Sequence, residues 1–106
     1  MDKEKLLSPR LPTRTVPIDG LGDVVVRALT RAQALYLRTI KDDQIELEVA
    51  ILRLGLADPV LSADEAAAYH DLAGVDEVAD IIDAIKDLSG LAEGAPKSGV
   101  PGAGGG

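Results

Sequence analysis

Thr13-Arg14-Thr15-Val16-Pro17-Ile18-Asp19-Gly20-Leu21-Gly22-Asp23-Val24-Val25-Val26-Arg27-Ala28-Leu29 is the stretch on which the fold turns. Two runs rich in β-branched residues, Thr13–Ile18 and Asp23–Leu29, flank Asp19-Gly20-Leu21-Gly22, whose glycines can take the positive φ of a tight turn. The stretch predicts a β-hairpin. Pro17 has no amide hydrogen to give to a ladder, so the first strand belongs at a sheet edge or carries a bulge there. Immediately afterwards, Thr30-Arg31-Ala32-Gln33 has the form of a capping box, and the apolar period changes from strand to helix.

Working toward the C-terminus, the spacing predicts four helices. The first covers about Arg31 to Lys41. The second begins after Asp43, whose carboxylate can cap the amide of Glu46, and carries Ile45, Leu47, Val49, Ile51, Leu52 and Leu54. With apolar groups on more than one side it is expected to be the most enclosed helix. Gly55 reads as its left-handed terminating residue, and Asp58-Pro59 as a block to resumption. Ser62-Ala63-Asp64-Glu65 is a second capping box, opening an alanine-rich helix that Gly74 is expected to close. The last helix is the clearest amphipath, with Val78, Ile81, Ile82, Ile85 and Leu88 on one side and Asp76, Glu77, Asp80, Asp83 and Asp87 on the other, ending at Gly90. The expected fold class is therefore α+β, mostly α: an N-terminal hairpin, about four short helices and a disordered tail.

Outside this region the chain changes character. Residues 1–12 contain Ser8-Pro9-Arg10-Leu11-Pro12 and read as a flexible N-terminal arm. Residues 92–106 contain six glycines and little apolar mass, so they cannot offset their own ordering entropy and read as a disordered tail. A single domain over residues 13–91 is left between them, small enough for stability to be marginal.

Composition removes several kinds of chemistry. The chain has 106 residues, no cysteine and one histidine, so thiol catalysis and thiolate metal sites are out of reach and His70 lacks a second imidazole for zinc. His70 sits beside Asp71, and adjacent helical positions do not face each other, which argues against a His–Asp relay. Acid pairs such as Asp42-Asp43 and Asp76-Glu77 lack the EF-hand spacing and are better explained as helix N-terminal charge; no catalytic, cofactor or metal residue is nominated. Gly20-Leu21-Gly22 has no following Lys-Ser/Thr and is a hairpin tip, not a phosphate loop. No apolar run is long enough to span a bilayer, and Met1-Asp2-Lys3-Glu4-Lys5 is unlike a secretion signal, so a cytoplasmic, soluble protein is expected.

Charge is divided unevenly. Residues 1–41 carry eight basic and four acidic side chains, residues 42–106 three and fourteen, so a net charge of −7 separates into a basic first part and a strongly acidic second. That asymmetry can steer a partner or hold two copies head to tail. The overall acidity weighs against nucleic acid as a partner, although Arg31 and Arg38 would share a helix face.

Three phrases carry a family resemblance: Gly22-Asp23-Val24-Val25-Val26-Arg27-Ala28-Leu29-Thr30-Arg31-Ala32, Gly55-Leu56-Ala57-Asp58-Pro59-Val60-Leu61-Ser62 and Ile85-Lys86-Asp87-Leu88-Ser89-Gly90-Leu91. In order and spacing they resemble the short form of the phage tail assembly chaperones encoded in siphovirus tail operons of actinobacterial hosts. The resemblance implies a non-enzymatic protein of the host cytoplasm that binds the tape measure protein and keeps it soluble. It implies help in recruiting the tail tube protein and absence from the finished virion. It also implies a programmed frameshift that extends some copies, for which the Gly/Pro-rich end would be a suitable junction. Because weak contacts repeated along one long client act by avidity, the chain is expected to self-associate or to coat its client in several copies. Partner-binding candidates are the apolar residues of the last two helices, Tyr69, Leu72, Val78, Ile81, Ile82, Ile85 and Leu88, with the tail as tether. A structural tail or head–tail joining protein and a small nucleic-acid-binding regulator are the alternatives.

Overall fold

In a computed structural model, residues 1–91 are described, and the tail expected from residue 92 onward lies outside them. The fold class is the one expected, α+β and mostly helical. The elements in chain order are α1 (Lys3–Leu7), β1 (Thr13–Ile18), β2 (Gly22–Arg27), α2 (Arg31–Arg38), α3 (Gln44–Gly55), β3 (Leu56–Asp58), α4 (Ala63–Leu72) and α5 (Val75–Leu88). The three strands form one antiparallel sheet in the order β1-β2-β3. The hairpin runs from the Thr13–Arg27 pair to the Ile18–Gly22 pair, with Gly20 and Gly22 at φ 81° and 121° at the turn.

The position of Pro17 follows from this ladder. The Ala28 amide donates to the Pro12 carbonyl at 3.0 Å, one pair beyond β1, and antiparallel pairs alternate between bonded and non-bonded. Arg14, Val16 and Ile18 therefore bond inward to β2, while Pro17 turns its nitrogen to the outer edge, where no amide hydrogen is missed. The irregularity in the sheet is on the other side, between Val25 and Val26 where β3 pairs.

One face of the sheet is covered by α5, which also packs on α3; α3 in turn meets α2 and α4. Val16, Ile18 and Val26 from the sheet, Ile51, Leu52 and Leu56 from α3 and β3, and Val78, Ile81, Ile82 and Ile85 from α5 make a continuous core. Both capping boxes form, at Thr30/Gln33 and Ser62/Glu65, and Asp43 caps Glu46 at 3.0 Å. At the end of α5, Gly90 has φ 73°, and the amides of Gly90 and Leu91 return to the carbonyls of Asp87 and Lys86, closing a Schellman motif.

Six readings are corrected. Gly55 does not turn left-handed. It is the last residue of α3 and is needed for closeness, since a Cβ there would stand 2.5–2.7 Å from Cδ1, Cγ1 and Cγ2 of Ile85. Because the chain can leave α3 already extended, Leu56–Asp58 adds a third strand instead of a loop. Gly74 is the N-cap of α5 at φ −70°, not the end of α4, which Ala73 caps. The second hairpin strand stops at Arg27, and two residues on the Leu29 amide donates to the Ser89 hydroxyl at 2.8 Å. The stretch read as an arm also contains a short helix, α1, capped by Asp2 and burying no side chain. Enclosure is shared as well: α3 meets three other helices, yet Ile45 in its first turn is exposed and α5 buries more residues.

Candidate functional site

The two surface hollows of interest lie on either side of α5. The first is set by the α4–α5 corner. Ala73 caps the end of α4 and Gly74 the start of α5, so the two helices meet within two residues. Val75 continues the apolar stripe of Val78 and Ile82 by one turn beyond what the core can cover, and is 86% exposed. Leu72, at the end of α4, is 77% exposed. A groove of about 340 Å³ runs from this corner along Val75, Val78, Ala79 and Ile82, with Glu48, His70, Asp83 and Lys86 at its polar margin.

His70 is fixed within this margin. Its Nε2 lies 2.8 Å from Glu48 Oε1, linking α4 to α3, and Gln44 donates to the other Glu48 oxygen at 2.7 Å. The hydrogen bonds from His70 and Gln44 hold the Glu48 carboxyl below its ordinary value of 4.5, with burial opposing them. Its partner is thus Glu48 across the helix pair and not the neighbouring Asp71. Among the described residues there is no group of three or more His, Asp or Glu side chains able to hold a metal ion.

The second hollow, about 290 Å³, opens at the tip of the hairpin. Ile18, Val24, Leu56, Leu61 and Ile81 form its apolar lining, Pro59 and Leu21 stand at its sides, and Tyr69 and Glu77 meet across it. The Tyr69 hydroxyl donates to Glu77 Oε2. Burial, then the bond to Glu77 and the carboxylate charge, push the Tyr69 phenol well above its ordinary range, so it remains a neutral donor throughout the physiological range.

The sequence candidates divide among these places. Val78, Ile81, Ile82 and Ile85 are buried and belong to the protein's own core, so they form no general client-binding face in the folded chain, though Val78, Ile81 and Ile82 contribute atoms to groove floors. Tyr69 and Leu88 are half-buried against that core, and Leu72 is the one fully presented. Leu21, Val60 and Val75, all strongly exposed, were missed. For Val75 the signal is legible afterwards as a stripe one turn longer than its support; for Leu21 and Val60 it was an aliphatic residue inside a turn and a loop. Arg27 donates to the Leu54 carbonyl at 3.1 Å and Arg14 pairs with Asp87 at 2.9 Å. No helix among the described residues is long and apolar enough to cross a membrane.

No family model matches this chain, and neither a curated protein nor a solved structure matches it.

Proposed function

We propose that this chain is a phage tail assembly chaperone that binds the tape measure protein through the α4–α5 corner. Exposed Val75, in the lining of the groove over Val78 and Ile82, with exposed Leu72 three residues before it in the chain, carries the reading. An amphipathic client helix can set an aliphatic side chain in that groove and cover both residues, each contributing on the order of 1.5–3 kcal/mol if fully buried. A tape measure chain awaiting its tube exposes such helices, which are an aggregation hazard until covered. Support comes also from the three sequence phrases, whose order and spacing resemble those of the chaperone family. On this reading the protein acts without catalysis, in several copies along one long client, helps recruit tail tube subunits, works in the host cytoplasm and is absent from the virion.

Co-expression with a tape measure fragment tests it. The soluble share of the fragment rises with the wild-type chain and falls back with Leu72→Asp/Val75→Asp, which alters exposed positions and leaves the fold intact by circular dichroism. A fragment equally soluble with and without the chain refutes the reading. Recovery of the chain in purified virions would replace it with a structural tail component.

A further inference from the structure

The hairpin-tip hollow and the N-terminal arm have complementary chemistry and lie at opposite ends of the hairpin. The hollow is apolar within, and its rim is acidic without exception: Asp23 and Glu77 line it, and the adjoining depression is lined by Asp19, Asp76, Glu77 and Asp80, with no Lys or Arg in either. Among the described residues, none of these carboxylates is in an ion pair. The arm is the more basic surface: Lys3, Lys5 and Arg10 outnumber its acids Asp2, which caps α1, and Glu4. Leu6 and Leu7, the latter 74% exposed, stand between Lys5 and Arg10, Leu11 is exposed just beyond, and α1 buries nothing of its own. Among the described residues, Arg10 bonds back to the Leu6 carbonyl, at 3.0 Å.

The arm cannot be regarded as a plug resting beside its own hollow. It enters β1 at Thr13, opposite Arg27, and its residues Leu7–Leu11 border a depression with Arg27, Thr30 and Ala57. The hollow is centred on the hairpin tip, lined there by Ile18, Leu21, Gly22 and Asp23, and no arm residue lines it. The tip pair Ile18–Gly22 lies five residues along β1 from the entry pair Thr13–Arg27, about 16 Å at roughly 3.3 Å per residue.

We infer that the hairpin-tip hollow receives the N-terminal arm of a second copy of this chain, Leu6 and Leu7 entering the apolar lining while Lys3, Lys5 and Arg10 meet the acidic rim. Because donor and acceptor surfaces differ and sit at opposite ends, the contact is head to tail. Such a contact is left open at both ends of a pair and continues into a row or ring of copies. The area available to a single arm is at the small end of specific interfaces, below about 1,200 Å², so association is weak, with Kd on the order of 100 μM, and weakens with salt. A row of weakly linked copies suits a long repetitive client, where avidity multiplies modest contacts. This inference deepens the multi-copy part of the proposed function but needs no client, so its failure leaves the α4–α5 corner to be judged by co-expression alone.

Sedimentation velocity and light scattering of the purified full chain, from about 10 μM to 1 mM at low and high salt, provide the test. The average mass rises with concentration above the 11.0 kDa of one chain, and the rise is lost in salt. Lys3→Glu/Lys5→Glu/Arg10→Glu and, separately, Asp19→Lys/Asp76→Lys/Asp80→Lys each stay at the mass of one chain, with circular dichroism spectra like the wild type. Mixed in equal amounts, the two variants associate again, since each arm now faces a rim of opposite charge. Leu6→Ser/Leu7→Ser weakens association at least tenfold without changing net charge. A wild-type chain that remains single at 1 mM, variants that associate as well as the wild type, or a mixture that does not recover would each overturn the inference.

Discussion

Replacing Gly55 by alanine is expected to destabilise the protein even though it improves the helix. The cause is one crossing. Gly55 ends α3 against α5, and a Cβ there would lie 2.5 Å from Cδ1 and 2.7 Å from both Cγ1 and Cγ2 of Ile85, whose side chain is fully buried. Rotation about χ1 cannot clear both γ carbons, because a β-branched residue always directs one of them near the position the other leaves. The helices must therefore move apart. Overpacking of this kind costs about 1–3 kcal/mol, and the gain in helix propensity on going from Gly to Ala recovers at most about 1 kcal/mol. With three contacts below 3.0 Å the cost lies toward the upper part of that range, leaving a net loss of about 1–2 kcal/mol. At about 4–8 °C per kcal/mol for a domain this small, Tm falls by roughly 4–16 °C.

A double-mutant cycle isolates the cause. Ile85→Ala removes all three contacting atoms, and although it costs about 2–5 kcal/mol by itself, Gly55→Ala in that background has nothing to strike and becomes neutral or stabilising by up to about 1 kcal/mol. Ile85→Val is the informative control, since it removes only Cδ1 and keeps both γ carbons, so most of the penalty persists. Urea denaturation with an unchanged m value is the assay. A single Gly55→Ala variant at least as stable as the wild type, or a penalty of equal size in the Ile85→Ala background, would refute the close-approach account of this glycine.

Two further outcomes follow from polar contacts. Ser89 accepts from the Leu29 amide at 2.8 Å and donates to the Ile85 carbonyl at 2.6 Å, so Ser89→Ala leaves a partly buried amide without its acceptor; urea denaturation should give a loss of about 1–3 kcal/mol, largely restored by Ser89→Thr, with faster hydrogen exchange at Leu29. Glu48 titrates below 4.5 in the folded protein, so its contribution is present above that pH and is lost as pH falls through the lowered value; for this part-exposed pair it amounts to at most about 1 kcal/mol. Accordingly Glu48→Gln is less stable than the wild type at pH 6–7, and the gap narrows on acidification toward pH 3. A gap that stays constant between those limits would rule out Glu48 ionisation as its source.

How much was legible in advance depended on the range of the forces involved. Hairpin strands, caps and the amphipathic face of α5 rest on contacts within a few residues, and those were readable: Thr30, Asp43 and Ser62 start helices as their side chains require, and Pro17 marks the edge. Gly55 and Gly74 were misread because a glycine's local freedom is the same whether it is used for positive φ, for a helix start or for the approach of a distant residue. Only the position of Ile85, thirty residues away, decides which applies at Gly55. β3 was missed for a related reason: three residues have no period of their own, and Leu56 and Asp58 become strand only because β2 offers an unpaired side.

The same distinction governs the candidate site. An amphipathic stripe identifies residues that need covering, and the sequence cannot say whether the chain itself or a partner covers them. Here the protein's own core takes Val78, Ile81, Ile82 and Ile85, so the part of the stripe left for others is its first residue, the exposed Val75. If client binding instead depended on the buried isoleucines, it would require α5 to detach from both the sheet and α3, and binding would strengthen as the fold was weakened. Gly55→Ala separates the two possibilities, because it loosens that packing from a position remote from the exposed corner. Unchanged client solubilisation by this variant at a temperature where it remains folded places the contact on the outer surface; enhanced solubilisation would place it in the core.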